Sequence, residues 1–309
     1  MADAEHSPDL PEAAASQPHG EKASPRADSQ QLLRTADALV QRFDKLVSSA
    51  AGQDAVLAGT SYVSHALHHL LASAPWIAFQ TRLSLLARLN KRPGPTKPFP
   101  SSSAPSQSHL LALSSLCSET RYTLRLFGLV PLWTWGSSTL KSPPSDPVIR
   151  ALTLLQVLVN VLYQVLENGG YLASRGVIPK RLIDRFGGVN KWYLWSIRAW
   201  FGHIFFQFVL LWRQRALQRE RTERSERERA LRQEKGEDVH LVKEVREEED
   251  AIKAENRAWR KSLVNNVFWS PLCLHWCFEG GIGFPDQLAG LFSFLAKVWG
   301  FSDSWVATG

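Results

Sequence analysis

Apolar residues recur at steps of three and four along most of this chain, a period that marks α-helix rather than strand. Leu32, Ala36, Leu39, Phe43 and Leu46 predict an amphipathic helix of about five turns. "AGQD" (51–54) interrupts it, with Asp54 placed as the N-cap of the next helix, expected over 55–74. One face of that helix carries Val56, Val63, Leu67, Leu70 and Leu71; another carries Ser61, Ser64, His65 and His68. Pro75 breaks it, and "WIAFQTRLSLLARLNKR" resumes helix. Helix returns at "HLLALSSLCSETRYTLRLFGLV" and is expected to stop at Pro131, leaving "GSSTLKSPPSDP" as a loop.

The clearest helix covers 148–174, preceded by Asp146-Pro147, an N-cap followed by Pro at N1. Its polar residues (Arg150, Thr153, Gln156, Asn160, Gln164 and Glu167) form one stripe, and nearly everything else is Val, Leu or Ile. The pattern predicts a nearly buried helix with one wet or partnered edge, not a uniform transmembrane span. In "LYQVLENGGYLASRGVI" (162–178), Gly169 and Gly170 are expected to loosen the helix, which makes Glu167, Gly169 and Gly170 a structural junction. A carboxylate near a helix C-terminus is disfavoured by the dipole, so Glu167 needs a local cation, with Arg175 or Arg198 in reach.

Trp192–Trp212 is the best transmembrane candidate: it has the length to cross a bilayer, is framed by aromatics and is followed at once by Arg213 and Arg215. Inside it Arg198, His203 and Gln207 must face protein or water. Two shorter apolar stretches follow, 262–278 with Pro271 and 288–301 with Lys297, suited to re-entrant, interfacial or bundled roles, or to a second span.

Composition adds a membrane flavour. Nine of the twelve tryptophans lie after residue 190, and the net charge is +7. Between Ala55 and Ser118 there is no Asp or Glu, while Arg82, Arg88, Lys91 and Arg92 are present, a basic amphipathic segment suited to an anionic lipid interface. Three cysteines suit a reducing compartment rather than a disulfide scaffold. The first 30 residues have no secretory apolar region and read as disordered, and the Pro/Ser-rich 91–108 reads as a linker. Residues 213–261 carry 15 Lys/Arg and 13 Asp/Glu, with i,i+4 pairs such as Glu220/Arg224, Glu223/Arg227 and Glu228/Arg232, and Gly236 is placed to divide this arm.

Catalytic chemistry is not indicated. Cys273, His275 and Cys277 cannot all share one helical face and lack a second ligand pair, and His65, His68 and His69 have no nearby carboxylate. No phosphate-cradling loop or nucleophile elbow occurs, and the basic charge lacks any nucleic-acid motif. The expectation is therefore no catalytic residue, no metal, no cofactor and no nucleic-acid partner.

Several pieces in order resemble the peroxin-eleven family of peroxisomal membrane proteins, most closely its gamma-type, fungal-like branch. They are "GQDAVLAGTSYVSHAL" with Gly52, Asp54 and Leu57; "TRYTLRLFGLV" with Arg125, Leu126 and Phe127; "LVNVLYQVLENGGYLASRGVI"; "KWYLWSIRAWFGHIFFQFVLLW"; and the terminal hydrophobic region. The resemblance implies a multi-pass, all-α bundle in the peroxisomal membrane that elongates the organelle and promotes its proliferation and fission. The expected organisation is a tail (1–30), interfacial amphipathic helices (31–90), a linker (91–108), a helical bundle (109–190), a transmembrane helix (191–212), a charged arm (213–261) and a C-terminal membrane region (262–309). Val56, Val63, Leu67, Leu70 and Leu71 would insert into lipid, with Arg82, Arg88, Lys91 and Arg92 against anionic headgroups. Phospholipid, other copies or family members, and fission machinery are the expected partners. The alternatives are a metabolite channel lined by the polar stripe with Arg198, His203 and Gln207, or a scaffold that recruits fission factors.

Overall fold

The computed structural model describes residues 25–89, 108–234 and 241–309, and among them the regular secondary structure is all helix. Residues 1–24 of the tail, most of the 91–108 linker, Gly236, Lys91 and Arg92 lie outside the described residues, as does the side chain of Arg88; residues 25–30, expected to be disordered with the rest of the tail, instead form the first turns of the first helix. The helices are α1 (Pro25–Val47), α2 (Ala50–Leu71), α3 (Ala74–Leu89), α4 (His109–Arg125), α5 (Leu129–Lys141), α6 (Pro147–Ser174), α7 (Lys180–Asp184), α8 (Gly188–Glu234), α9 (Leu241–Trp276) and α10 (Asp286–Val306).

Local chemistry accounts for most of the boundaries. Ser49, not Asp54, caps α2, its side chain accepting from Gly52 N at 3.0 Å. Asp54 lies a turn further in and serves a different purpose, described below. Asp146 caps α6 as the sequence predicts, accepting from Ile149 N at 2.8 Å with Pro147 behind it. Pro131 does not end a helix. It falls in the first turn of α5, where a missing N–H costs nothing, and the segment expected to be loop is helical to Lys141.

Gly169 and Gly170 do not loosen α6, which runs unbroken to Ser174. Both are buried against α8. A Cβ on Gly169 would lie 2.5 Å from the Trp192 ring, and one on Gly170 would lie 3.5 Å from the Tyr193 ring. The pair is a packing seam on which two helices close, not a hinge. The backbone reverses later, around α7, where Gly187 and Gly188 take φ of +96° and +86°, a region open to glycine at no steric cost.

α6 and α8 are antiparallel and share the most extensive helix–helix contact. The N-terminal part of α8 also packs along the C-terminal part of α9, and α10 closes the bundle against α9 and α2. The core between them holds Ile204, Trp269, Leu272, Cys273 and Ala296, with Tyr62, Trp200, Phe201, Phe208 and Phe268 packed around it. α2 is held on two sides, by α4 and by α10. At Gly290 the approach is close enough that a Cβ would meet Tyr62 O at 2.8 Å and Ala66 N at 2.9 Å. α1 joins the bundle at its C-terminal end, where Leu46 is buried and Arg42 donates to Trp305 O at 3.0 Å.

Among the described residues two helices are long and apolar enough to cross a membrane: α6 over its whole length and α8 over Gly188–Leu231. The sequence reading placed a span on 192–212 and looked to the C-terminus for a second. α6, which it set aside because of its polar stripe, meets the criterion instead.

Candidate functional site

The polar stripe of α6 faces inward. Gln156, Gln164 and Glu167 are buried, while Leu155, Leu158, Leu162 and Val165 of the same helix are exposed. Its partners sit on α8 in antiparallel register. Gln156 Nε2 donates to Gln207 Oε1 at 2.7 Å, and Asn160 Nδ2 donates to His203 Nδ1 at 2.8 Å. At the end of the seam Arg213 pairs with the capping Asp146 at 2.7 Å. Polar groups inside and aliphatic groups outside invert the soluble arrangement, and this is the polarity that a lipid environment demands of a helix pair. The outward face continues on α5 through Trp133 and Leu140, and on α8 through Trp195, Phe205 and Trp212.

The remaining α6 amides finish another helix. The last carbonyls of a helix have no intrahelical partner. Gln164 Nε2 reaches Arg125 O at 2.9 Å, and Asn168 Nδ2 reaches Leu126 O at 3.2 Å, so α6 caps the C-terminus of α4. The same turn of α4 delivers the partner of Glu167, which is Arg125 rather than Arg175 or Arg198. Arg125 Nη1 lies 3.2 Å from Glu167 Oε1, which also accepts from the Tyr163 hydroxyl at 2.8 Å. Arg175 instead pairs with Glu119, and Arg198 Nε donates to Cys277 O at 3.0 Å.

One turn earlier on α4, Arg121 is buried and bound to Asp54 at 2.8 Å, with Nη1 donating to the Tyr62 hydroxyl at 2.9 Å. Burial acts to raise the Asp54 carboxyl, but the hydrogen bond and charge of Arg121, helped by Arg125 and Lys297, outweigh it and hold the group below its ordinary 3.8. These two ion pairs line a cavity of about 590 Å³ between α2, α4, α6, α8, α9 and α10, walled by Trp200, Trp269 and Trp276 and reached by Lys297. Sequence reading missed the cluster as a unit. Its one visible sign was Arg121 and Arg125 at i,i+4 in a region almost without acids, with Asp54 just before the acid-free stretch.

α2 repeats the inverted pattern. Ser61 and Ser64 are buried, Ser61 Oγ bonding Ser114 O and Ser118 Oγ at 3.0 Å on α4, and His68 Nδ1 meets Ser108 Oγ at 2.9 Å. The polar face of α2 is therefore an internal contact. Val63, Leu67, Leu70 and Leu71 are exposed and Val56 is half-buried. Val63, Leu67 and Leu70 join Leu288, Leu291 and Phe294 of α10 in one apolar groove. Arg82 is exposed on α3.

The charged arm is an antiparallel hairpin of α8 and α9. Arg215 Nη1 donates to Asn256 Oδ1 at 2.5 Å, Arg221 pairs with Glu255 at 3.2 Å, and Ser225 and Arg229 both bind Glu248. Glu223 and Arg227 keep the expected i,i+4 contact, at 4.0 Å. Cys273 and Cys277 are buried free thiols, and His275 Nδ1 accepts from Ile282 N at 2.9 Å, fixing the loop before α10. Among the described residues no group of three or more His, Cys, Asp or Glu is placed to hold a metal.

A family model described as peroxisomal biogenesis factor 11 (PEX11) matches residues 100–305, two thirds of the chain; α1, α2 and α3 precede the matched stretch. No curated protein and no solved structure matches the chain.

Proposed function

The chain belongs to the peroxisomal biogenesis factor 11 (PEX11) family, and from that premise we propose that it remodels and elongates the peroxisomal membrane through the apolar edge formed by α2 and α10. Membership gives it a role in peroxisome biogenesis at the peroxisomal membrane. The finer reading, including the gamma-type branch, is supported by the ordered segments between residues 52 and 301.

The observation that carries the proposal is the inverted polarity of α2 and α6, with hydroxyls and amides paired inside and Val63, Leu67, Leu70, Leu155, Leu158 and Leu162 turned out. In this reading the α6–α8 hairpin crosses the bilayer. The arm then lies on the side of α6's N-terminus, because the Asp146–Arg213 pair marks where both helices leave the apolar layer. At 1.5 Å per residue the 47-residue α8 is about 70 Å long, against a hydrocarbon core of about 30 Å, so its charged half projects well clear of the membrane. The α2–α10 edge lies shallowly in one leaflet, expands its headgroup area and favours positive curvature. Arg82 on α3, with Arg88, Lys91 and Arg92, attracts anionic headgroups. Copies assembled through the bundle concentrate these wedges, and the projecting arm is a platform for fission factors. The channel alternative is weakened because Gln156, Asn160, His203 and Gln207 bond one another.

The test is Leu67→Glu with Leu70→Glu in the full chain. Reconstituted protein should lose tubulation of anionic vesicles, and peroxisomes expressing it should fail to elongate, while insertion resistant to alkaline extraction persists. Unchanged tubulation and unchanged organelle length would refute the wedge.

A further inference from the structure

The charged cavity has a composition that the wedge reading does not use. Arg121, Arg125 and Lys297 supply three positive charges and Asp54 and Glu167 two negative ones, so the cavity carries one uncompensated cation. Its identity is visible in the pairing. Asp54 holds Arg121 and Glu167 holds Arg125, whereas Lys297 makes no hydrogen bond or ion pair among the described residues. Lys297 lines both this cavity and a neighbouring one of about 340 Å³, and desolvation there pushes its ammonium down from its ordinary value, a cost that a bound anion would offset. Lys261, which also lines that second cavity, is occupied by Asp303 at 2.7 Å.

Other donor groups line the same cavity. Arg125 places only Nη1 on protein acceptors, leaving Nε and Nη2 without one among the described residues. Ser118, Tyr122 and Ser293 line the wall. One acceptor is left over as well: Glu167 Oε2 is buried and has no hydrogen-bond partner. A buried carboxylate oxygen without a donor is costly, so a donor is expected to arrive from outside the protein. The far wall is aromatic, with Trp200, Trp269 and Trp276.

We propose that this cavity binds the phosphodiester of an anionic phospholipid whose headgroup carries hydroxyls, of the glycerol or inositol type. The diester's single negative charge balances the uncompensated Lys297, and its two free oxygens accept from Lys297 Nζ and from the open edge of the Arg125 guanidinium. A headgroup hydroxyl donates to Glu167 Oε2, and the lipid backbone lies against the indoles. Inorganic phosphate suits the site less well, because near neutral pH it carries more charge than the cavity balances and presents nothing to the aromatic wall. The site is separate from the basic residues of α3, which would meet headgroups at the membrane surface.

Calorimetric titration of the full chain in neutral detergent with dihexanoyl phosphatidylglycerol tests this, with dihexanoyl phosphatidylcholine, glycerophosphoglycerol and inorganic phosphate in parallel. Phosphatidylglycerol should bind saturably and about tenfold or more tighter than phosphatidylcholine, which has neither the net charge nor the hydroxyl donor. Lys297→Gln should weaken it about tenfold or more, Lys297→Arg should restore it to within about threefold, and Arg82→Gln should leave it unchanged. Helicity by circular dichroism confirms that each variant is folded, and because Lys297 has no hydrogen bond or ion pair among the described residues, its substitution leaves no orphan there. Glycerophosphoglycerol binding as tightly as the lipid would keep the diester site and assign it a soluble ligand. The proposal is overturned by any of three results: no saturable binding, equal binding of phosphatidylcholine or inorganic phosphate, or undiminished binding by Lys297→Gln.

Discussion

Gly169→Ala and Gly170→Ala are the same substitution at consecutive positions of one helix, and the structure gives them opposite outcomes. Both replace a mid-helix glycine, which by propensity alone should stabilise by about 1 kcal/mol. At Gly170 the new methyl would sit 3.5 Å from the Tyr193 ring, an ordinary contact, so most of that gain should survive. At Gly169 it would sit 2.5 Å and 2.9 Å from two carbons of Trp192, so the indole or the whole of α8 must retreat by about 1 Å to reach a normal carbon–carbon separation. Overpacking of this kind costs about 1–3 kcal/mol. Because the propensity contribution is common to both, the difference between the two variants isolates the seam, and Gly169→Ala should be less stable than Gly170→Ala by about 1–3 kcal/mol. Unfolding in mixed neutral and anionic detergent micelles, followed by circular dichroism, measures that difference. Trp192→Ala should remove most of the Gly169→Ala penalty, a non-additivity expected only of residues in contact. If the two alanine variants are equally stable, or Trp192→Ala leaves the penalty intact, α6 does not close on α8 as described.

Further predictions concern the buried polar pairs and the α2–α10 contact. Asp54→Asn strips the carboxylate from Arg121, a buried guanidinium, and should cost about 3 kcal/mol in the same assay. Since the folded-state value of Asp54 is depressed, its stabilisation is complete above the ordinary 3.8 and disappears as pH falls through the lower folded value; Asp54→Asn should lack that share of the acid loss, and an identical acid limb in the two proteins would contradict the pairing. A double-mutant cycle on Gln156→Leu and Gln207→Leu should give a coupling of about 0.6 kcal/mol and at most about 2, whereas additive costs would mean that the two amides do not meet. Gly290→Leu, which places a side chain against the backbone of α2, should disrupt the α2–α10 edge and abolish vesicle tubulation, while Gly59→Ala, with open space around it, should be tolerated; a tubulating Gly290→Leu would separate curvature from that contact.

Helix content, the cap at Asp146, the apolar stripe of α2 and the charged arm were all legible in the sequence, because each depends on neighbours within a turn or two. The spacing of Gln156, Asn160, Gln164 and Glu167 announced a single polar face. Spacing does not say whether such a face meets water, a pore or another helix, and it was the antiparallel register with Gln207 and His203 that decided. The same limit explains the errors at Pro131 and at Gly169-Gly170. Each residue type was read by what it does to an isolated helix, while its neighbours used Pro131 as a first-turn residue and the glycines as room for two rings.

By itself, the sequence determined which segments are helical, which faces are apolar and, through its ordered segments, the family. These follow from residue type and local period. Tertiary structure decided which way each face points and which charges meet. Arg121 found Asp54 across 67 residues, Arg125 found Glu167 across 42, and Lys297 came to line their cavity with no hydrogen bond or ion pair among the described residues. Charges attract over distances set by the fold, not by the chain, so only the assembled bundle could make Glu167 part of an ion-paired cavity wall.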